Sequence, residues 1–326
     1  MPDTDASANK VVLENVNCEM CGSPESRRLV TAVDTLSQSA DKYNLVQCTS
    51  CGLIYVNPRP TVETIGLCYP DEYYDIHVAH SPEEQLWLVR VEERRLKDIR
   101  RFAQPGRILD VGCGNGRFLS VAKEQGWDTV GIEISSSMAN FARENYGVTV
   151  IDKELTEAGF ASEQFDVVTT WGVLEHFHHP KVILHEIHRI LRPGGLFVAL
   201  VVNIDSTQFK LFGPNWTLLH APRHLYHFTP VTLKRMVADA GFRHVWSRFY
   251  APEHDLGNFI NSLEITLAGG NKSGKQSLPV SHRKWGARRI VMAMSRRLAP
   301  VITRAIAVGQ HSAAMELYFV KSGGID

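Results

Sequence analysis

The chain has 326 residues, with 35 basic and 35 acidic side chains, so its formal net charge is zero and no global field draws it toward nucleic acid or an anionic surface. This length exceeds one minimal domain and falls short of three, so a large α/β domain with one or two appendages is expected. Met1 to Lys10 is polar, with Asp3 and Asp5, which is unlike a secretory leader, and apolar runs such as Leu196 to Val202 are far shorter than the roughly 20 residues of a membrane span. The expected compartment is therefore the reducing cytoplasm.

Residues 11–60 contain two C-x-x-C pairs, Cys18-Glu-Met-Cys21-Gly22 and Cys48-Thr-Ser-Cys51-Gly52. Each turn aims two thiolates at one centre, and the glycine that follows lets the backbone fold back around an ion. Together they predict a structural Zn2+ site with four thiolate ligands, a zinc ribbon. The spacer between the pairs is longer than the usual pattern. It holds a polar stretch, Asp34 to Lys42, and a strand-like segment, Tyr43 to Gln47. A redox dithiol would require the motif at a helix start inside a βαβ unit, which is not seen here. Cys68 and Cys113 read as small apolar residues.

Residues 61–104 read as a linker with helices. Asn57-Pro-Arg-Pro60 is a stiff exit, Thr61 to Leu67 a short helix, and Tyr69 to Tyr74 an aromatic turn. Ser81-Pro82-Glu83-Glu84 is a helix start with a capping residue, proline at the first helical position and a capping-box acid. Leu86, Val89, Leu96 and Ile99 recur on one predicted face, with Glu92, Arg94, Arg95 and Lys97 mostly elsewhere. Gln104-Pro-Gly106 ends the helix.

Residues 105–255 read as the core domain. Ile108 to Val111 is a short buried strand running into Asp110-Val-Gly112-Cys-Gly114-Asn-Gly116, with a helix from Arg117. Alternating glycines let the backbone approach a ligand at the carboxyl end of a strand. A dinucleotide loop would need a third glycine where Arg117 stands. Strands follow at Thr129–Ile132, ending at Glu133, at Val148–Ile151, and at Phe165–Thr170. Next come Trp171-Gly-Val-Leu-Glu175-His176, a helix from Pro180, the turn Arg192-Pro-Gly-Gly195, and the strand Leu196–Val202.

From Arg107 to Asn203 this succession resembles the class I S-adenosylmethionine-dependent methyltransferases. The resemblance implies a doubly wound, Rossmann-like seven-stranded α/β sheet with S-adenosylmethionine as cofactor. It places Asp110 near the cationic methionine moiety, the cofactor against Gly112, Gly114 and Gly116, and Glu133 on the ribose hydroxyls. Asp152 or Glu154 would lie near the adenine amino group, and Ile134 and Trp171 complete the expected cofactor set. Some quinone and catechol relatives hold a catalytic cation with an acid three residues before the glutamate of the Leu-Glu-His motif. That position is Gly172 here, which argues against a catalytic metal. The segment Asn215 to Thr229 resembles a bacterial subgroup that also carries an N-terminal zinc ribbon and is mostly linked to sugars, surface polysaccharides and natural products.

The expected activity is methyl transfer to a small or carbohydrate-type acceptor, lipid- or nucleotide-linked forms included. A hydroxyl or carbon acid needs a base, and histidine suits neutral pH. The candidates are His227 and His224, just after the fifth strand, with His176 as a positioning group nearer the cofactor. An RNA methyltransferase is the rival enzyme, but Arg27, Arg28 and Lys42 are the only bases between the cysteine pairs. A non-catalytic cofactor-binding partner protein is the rival from another class, opposed by the intact glycine loop and Glu133. In residues 256–326, Ile265 to Met315 has no acid and nine Lys or Arg. A basic amphipathic helix from Trp285 to Ala305, kinked at Pro300, could pack on the core or touch the inner membrane face. Met315 to Val320 reads as a last strand.

Overall fold

A computed structural model describes residues 10–34, 41–69, 81–249, 251–267, 269 and 308–322. The expected aromatic turn beyond Tyr69, the loop 271–279 and the basic helix 285–305 lie outside the described residues.

In chain order the first strands are β1 (Leu13–Glu14), β2 (Ser26–Val33), β3 (Lys42–Cys48), β4 (Ile54–Val56) and β5 (Arg59–Pro60). They are followed by β6 (Arg107–Val111), β7 (Asp128–Ile132), β8 (Thr149–Ile151), β9 (Phe165–Trp171) and β10 (Leu191–Val202). The last three are β11 (Tyr226–His227), β12 (Phe242–Arg248) and β13 (Ala314–Lys321). The longer helices are α1 (Pro82–Ile99), α2 (Arg117–Glu124), α3 (Ser136–Tyr146) and α4 (Pro180–Ile190). Then come α5 (Thr207–Phe212), α6 (Pro230–Asp239) and α7 (Pro252–Leu267).

Contacts divide the chain into two compact units. One gathers the described residues of Met1–Tyr73, Val202–Thr232 and Tyr250–Ala314, and the other those of Tyr74–Val201, Leu233–Phe249 and Met315–Asp326. The consecutive boundaries 11–60, 61–104, 105–255 and 256–326 expected from sequence are therefore not how the contacts group. The cause is strand pairing across sequence distance.

The second unit holds a seven-stranded sheet of order β12-β13-β10-β9-β6-β7-β8. Strands β10, β9, β6, β7 and β8 run parallel, and β12 pairs antiparallel with β13. The order reverses direction between β6 and β9. In open α/β sheets that switch point opens a crevice at the carboxyl ends of the strands. The seven-stranded doubly wound sheet agrees with the sequence expectation. The core beneath it includes Leu96, Ile99, Ile108, Leu119, Ala122, Val167, Leu196, Val198 and Tyr318.

Two local expectations are corrected. The Ser81 hydroxyl caps α1 by accepting from the Glu84 amide at 3.1 Å, and Leu96 and Ile99 of the expected face are fully buried with Val89 packed against the core, as read from sequence, but charged residues are buried as well. Glu92, Arg95 and Asp98 are buried, whereas Leu86 is 53% exposed. The reason is a set of charges that must be satisfied together away from water. Glu316 on β13 is fully buried and takes both Nη atoms of Arg94 at 2.7 and 3.0 Å. Arg95 pairs with Glu92 at 2.9 Å, and Arg248 with Asp98 at 2.7 Å. The second correction concerns Arg192 to Gly195. This predicted turn is absorbed into β10 as an irregularity, with the register to β9 shifting between Leu191 and Leu196. A side chain at Gly195 would meet the Arg192 carbonyl at 2.8 Å, which explains the glycine.

The first unit contains a four-stranded sheet of order β11-β4-β3-β2 and the small pair β1-β5. Tyr226 and His227 sit opposite Tyr55 and Ile54, so the sheet of the cysteine-bearing segment is completed from far along the chain. A buried ion pair between Asp34 and Arg223 joins the same two stretches. The core of this unit includes Tyr43, Leu45, Val56, Ile204, Phe212, Trp216 and Leu219.

Candidate active site

The glycine loop leaves β6 and is tied to β7, because the amides of Gly112 and Cys113 both donate to the Ile132 carbonyl, at 2.8 and 2.9 Å. Gly112, Gly114 and Gly116 all have positive φ, yet they serve different ends. A Cβ at Gly112 would stand 2.6 Å from Val173, and one at Gly116 would stand 2.7 Å from Ala142. Those two glycines are demanded by packing. Nothing lies within 4 Å of a Cβ at Gly114, so its Cα faces open space. That is what close approach by a ligand requires.

Glu133 follows β7 and is 8% exposed. Its Oε2 accepts from the Gly114 amide at 2.8 Å and its Oε1 from the Ser135 amide at 2.9 Å. Burial pushes its pKa up, and the amides of Ser135, Gly114 and Ile134 oppose the shift. The carboxylate is thus locked in orientation and still has lone pairs for ligand hydroxyls. The next residue, Ile134, is 71% exposed, an apolar surface left open beside this acid.

Asp110 is nearly sealed, at 2% exposure, and Thr169 of β9 donates to its Oδ1 at 2.7 Å. Burial pushes its pKa up to about 8, opposed by the Thr169 hydrogen bond; Glu92 adds to the rise and Arg95 reduces it. Trp171 ends β9. The Arg95 guanidinium lies 4.3 Å above its ring, and Phe118 meets it edge-on at 5.2 Å. Asp152, at the exit of β8, pairs with Arg143 at 3.3 Å. Glu154 instead precedes the short 3-10 turn Leu155–Glu157. His176 is half-buried in the 3-10 turn Leu174–His176, next to fully enclosed Glu175.

The other candidate groups belong to the first unit. The Sγ atoms of Cys18, Cys21, Cys48 and Cys51 all lie within 4.8 Å of one another, with Cys18–Cys51 at 3.4 Å and Cys21–Cys48 at 3.6 Å. A tetrahedral zinc–thiolate site with bonds of about 2.3 Å has sulfur–sulfur edges of about 3.8 Å. The two knuckles repeat one pattern. Gly22 N–H donates to the Cys18 carbonyl and Gly52 N–H to the Cys48 carbonyl, while the Cys18 and Cys48 amides donate to the Ser23 and Leu53 carbonyls. The donor set and its spacing fit zinc.

His227 is fully buried, with Nε2 3.0 Å from the Leu219 carbonyl, so Nε2 carries the proton and Nδ1 a lone pair. Burial lowers its pKa to about 4, against the hydrogen bond to Leu219. His224 is 5% exposed, with Nδ1 3.0 Å from the Leu218 carbonyl. Its ring lies 6.1 Å from that of His227 and 5.0 Å from that of His220. His220 adopts the left-handed conformation, φ +41°, and lines a crevice with Ala32, Asn215, Thr217 and Ile265.

Sequence reasoning missed Thr169, Arg95, Arg143 and His220. The one available signal for Thr169 was a pair of hydroxyl residues inside an otherwise apolar buried strand.

Residues 88–247 match a family described as a methyltransferase domain. That segment belongs to the class I S-adenosylmethionine-dependent methyltransferases, and it carries the glycine loop, the acid after the second strand and the parallel strands of the sheet. The "Ubiquinone biosynthesis O-methyltransferase" of Pseudomonas aeruginosa (strain UCBPP-PA14) is 30% identical over 130 residues, 37% of this chain and 56% of that protein. Its namesake from Methylococcus capsulatus is 29% identical over 147 residues, 41% of this chain and 62% of that protein. The chain thus spans less than two thirds of the length of these curated relatives. A solved S-adenosylmethionine-dependent methyltransferase from Archaeoglobus fulgidus overlays with a TM-score of 0.47 at 20% identity, covering 71% of this chain and 93% of that one. Among the described residues, no helix is long and apolar enough to cross a membrane.

Proposed function

We propose that this chain transfers a methyl group from S-adenosylmethionine to a hydroxyl of a small-molecule acceptor, with a carbohydrate-type compound as the preferred class. The observation that carries the cofactor assignment is the Glu133 carboxylate fixed by the Gly114 and Ser135 amides beside an open Gly114 and an exposed Ile134. The small-molecule acceptor follows the printed names of the curated relatives, and the carbohydrate class follows the resemblance of the ribbon-bearing subgroup. Incubating the protein with labelled cofactor and pools of hydroxylated small molecules, then reading mass gains, tests the assignment. Labelling of RNA with none in small-molecule pools would overturn it.

Bound S-adenosylmethionine supplies an activated methyl on a sulfonium. Glu133 would accept from the ribose hydroxyls, Ile134 would cover one adenine face, and Asp110 would offset the positive charge of the methionine moiety. Holding donor and acceptor in line can supply about 7–11 kcal/mol of the barrier. Removal of the acceptor proton falls to His224 rather than His227, because the enclosed His227 is a weak base. His224→Ala is expected to lower turnover by roughly 10²–10⁴-fold with S-adenosylhomocysteine affinity unchanged. His227→Ala is expected to lower the melting temperature instead. A His224 variant with normal turnover across pH would place the base elsewhere.

The four thiolates are proposed to hold one structural Zn2+, with the metal supplying folding energy to this segment. Elemental analysis of metal-replete protein is expected to give about one zinc per chain, falling in Cys21→Ser. Four freely titrating thiols in native, zinc-free protein would refute the site.

A further inference from the structure

We propose that the first unit docks on an anionic lipid surface, through an apolar stripe along α7 and the basic chain tethered beside it. The inference does not depend on the cofactor reading above.

Helix α7 engages the rest of its unit with one side. Phe259 meets Phe212 of α5 at 5.2 Å between ring centroids, and Ser262 Oγ accepts from the Thr217 amide at 3.1 Å. A second side carries Leu256, Ile260, Leu263 and Leu267 at successive turns, within about 60° of one line along the helix. Exposure along this stripe rises toward the end of the helix. Leu256 and Ile260 are partly buried, Leu263 is 38% exposed and Leu267 79% exposed. A lone exposed leucine is ordinary, but a continuous stripe marks a contact face.

Charge identifies what the stripe meets. Between Lys272 and Arg304 come nine Lys or Arg and no acid, in a chain whose net charge is zero. Both ends of this stretch are fixed to α7. One end leaves from its last turn. The other returns to its first turn, where the Ser312 hydroxyl donates to the Asp255 carboxylate at 2.9 Å and the Ala313 amide donates to it at 2.8 Å. Asp255 and Leu267 stand about 18 Å apart along the helix, at 1.5 Å per residue. The nine cations are thereby tethered beside the apolar stripe. An interfacial helix needs both components: acyl chains take up the leucines, and anionic headgroups take up the cations. Nucleic acid supplies the charge but no acyl phase for the leucines. Folding the basic stretch back over the stripe would cover the leucines and leave nine like charges crowded together.

The test is co-sedimentation of the full chain, without substrate or cofactor, with vesicles of phosphatidylcholine alone and of an equal mixture with phosphatidylglycerol. Binding to the mixed vesicles is expected to be at least about 10-fold tighter, and to weaken as salt screens the cations. Leu263→Glu combined with Leu267→Glu is expected to weaken it by about 10-fold or more. The melting temperature should stay unchanged, because both side chains are already exposed. Lys284→Glu combined with Arg288→Glu and Arg289→Glu is expected to remove the preference for anionic lipid. Equal binding to both kinds of vesicle, or binding to neither, would overturn the proposal. So would anionic binding that survives the leucine changes, the mark of a bare polyanion site. A lowered melting temperature in the leucine variant would overturn it too, because the stripe would then be covered by the chain itself.

Discussion

Glu133→Ala is expected to weaken S-adenosylmethionine binding by about 100-fold or more in calorimetry. Two charge-assisted hydrogen bonds to ribose, at about 1.5–3 kcal/mol each, set that scale. The same carboxylate holds the Gly114 and Ser135 amides, so its removal also strands two backbone donors. Glu133→Gln keeps an acceptor for one of them and serves as the folded control. Gly114→Arg offers an independent route to the same result. A Cβ at Gly114 meets nothing within 4 Å, so the arginine has room to sit in the crevice without disturbing the core. It must tolerate φ +52°, a strain of about 1–3 kcal/mol. The variant should therefore fold and fail to bind. By contrast, Gly116→Ala should fail through packing, because its Cβ would collide with Ala142. Unchanged affinity in a folded Glu133→Ala protein would remove the basis for the cofactor assignment.

The second large effect is a pH dependence centred on Asp110. Its carboxyl titrates near 8 in the folded chain, chiefly because burial penalises the charged form. In an unfolded chain an aspartate titrates near about 3.9. Between these values the folded state holds the proton and the unfolded state does not. Stability must therefore fall as the pH rises from about 4 to about 8, by up to about 1 kcal/mol per unit, and level off above. Asp110→Asn removes that slope, so the melting temperature of the variant relative to wild type should rise across this window. The Thr169 hydroxyl can donate to the amide oxygen as it does to the acid. Ligand binding should show the opposite sign. The groups facing Asp110 are Glu92 and Arg95 of α1, Glu133 after β7 and Thr169 of β9. A cationic ligand entering beside them favours the ionised acid, so affinity should climb toward pH 8 with release of a proton. Identical proton release in Asp110→Asn, measured in buffers of different ionisation enthalpy, would exclude this group.

The parts of this site legible in the sequence are those whose chemistry is local. The glycine loop, the acid after the second strand and the paired cysteine knuckles are each set by neighbours within a few residues. Ser81 as a helix cap is of the same kind. What the sequence could not show depends on partners brought from afar. Glu92 and Arg95 were read as lying mostly off the apolar face of α1, yet both are buried, and fully buried Glu316, more than 200 residues later, pairs with Arg94 of the same helix at 2.7 Å. Glycine spacing likewise did not reveal that Gly112 and Gly116 answer to Val173 and Ala142 while Gly114 faces open space. His224 and His227 were read as a pair on one turn. Their burial comes from carbonyls at Leu218 and Leu219 and, for His227, from pairing with a strand at Ile54.

That last pairing has a consequence for how the chain is made. Strand β4 ends at Val56, and the strand that lies beside it, Tyr226–His227, follows some 170 positions later. At synthesis rates of roughly 5–20 residues per second, that interval lasts about 10–30 s. During it the nascent cysteine-bearing hairpin presents an open edge with buried-type residues Ile54 and Tyr55 to whatever is nearby. Metal capture by the emerging thiolates would shorten the time this edge spends unfolded but cannot close it. Yield on expression should then respond to translation speed between these two strands.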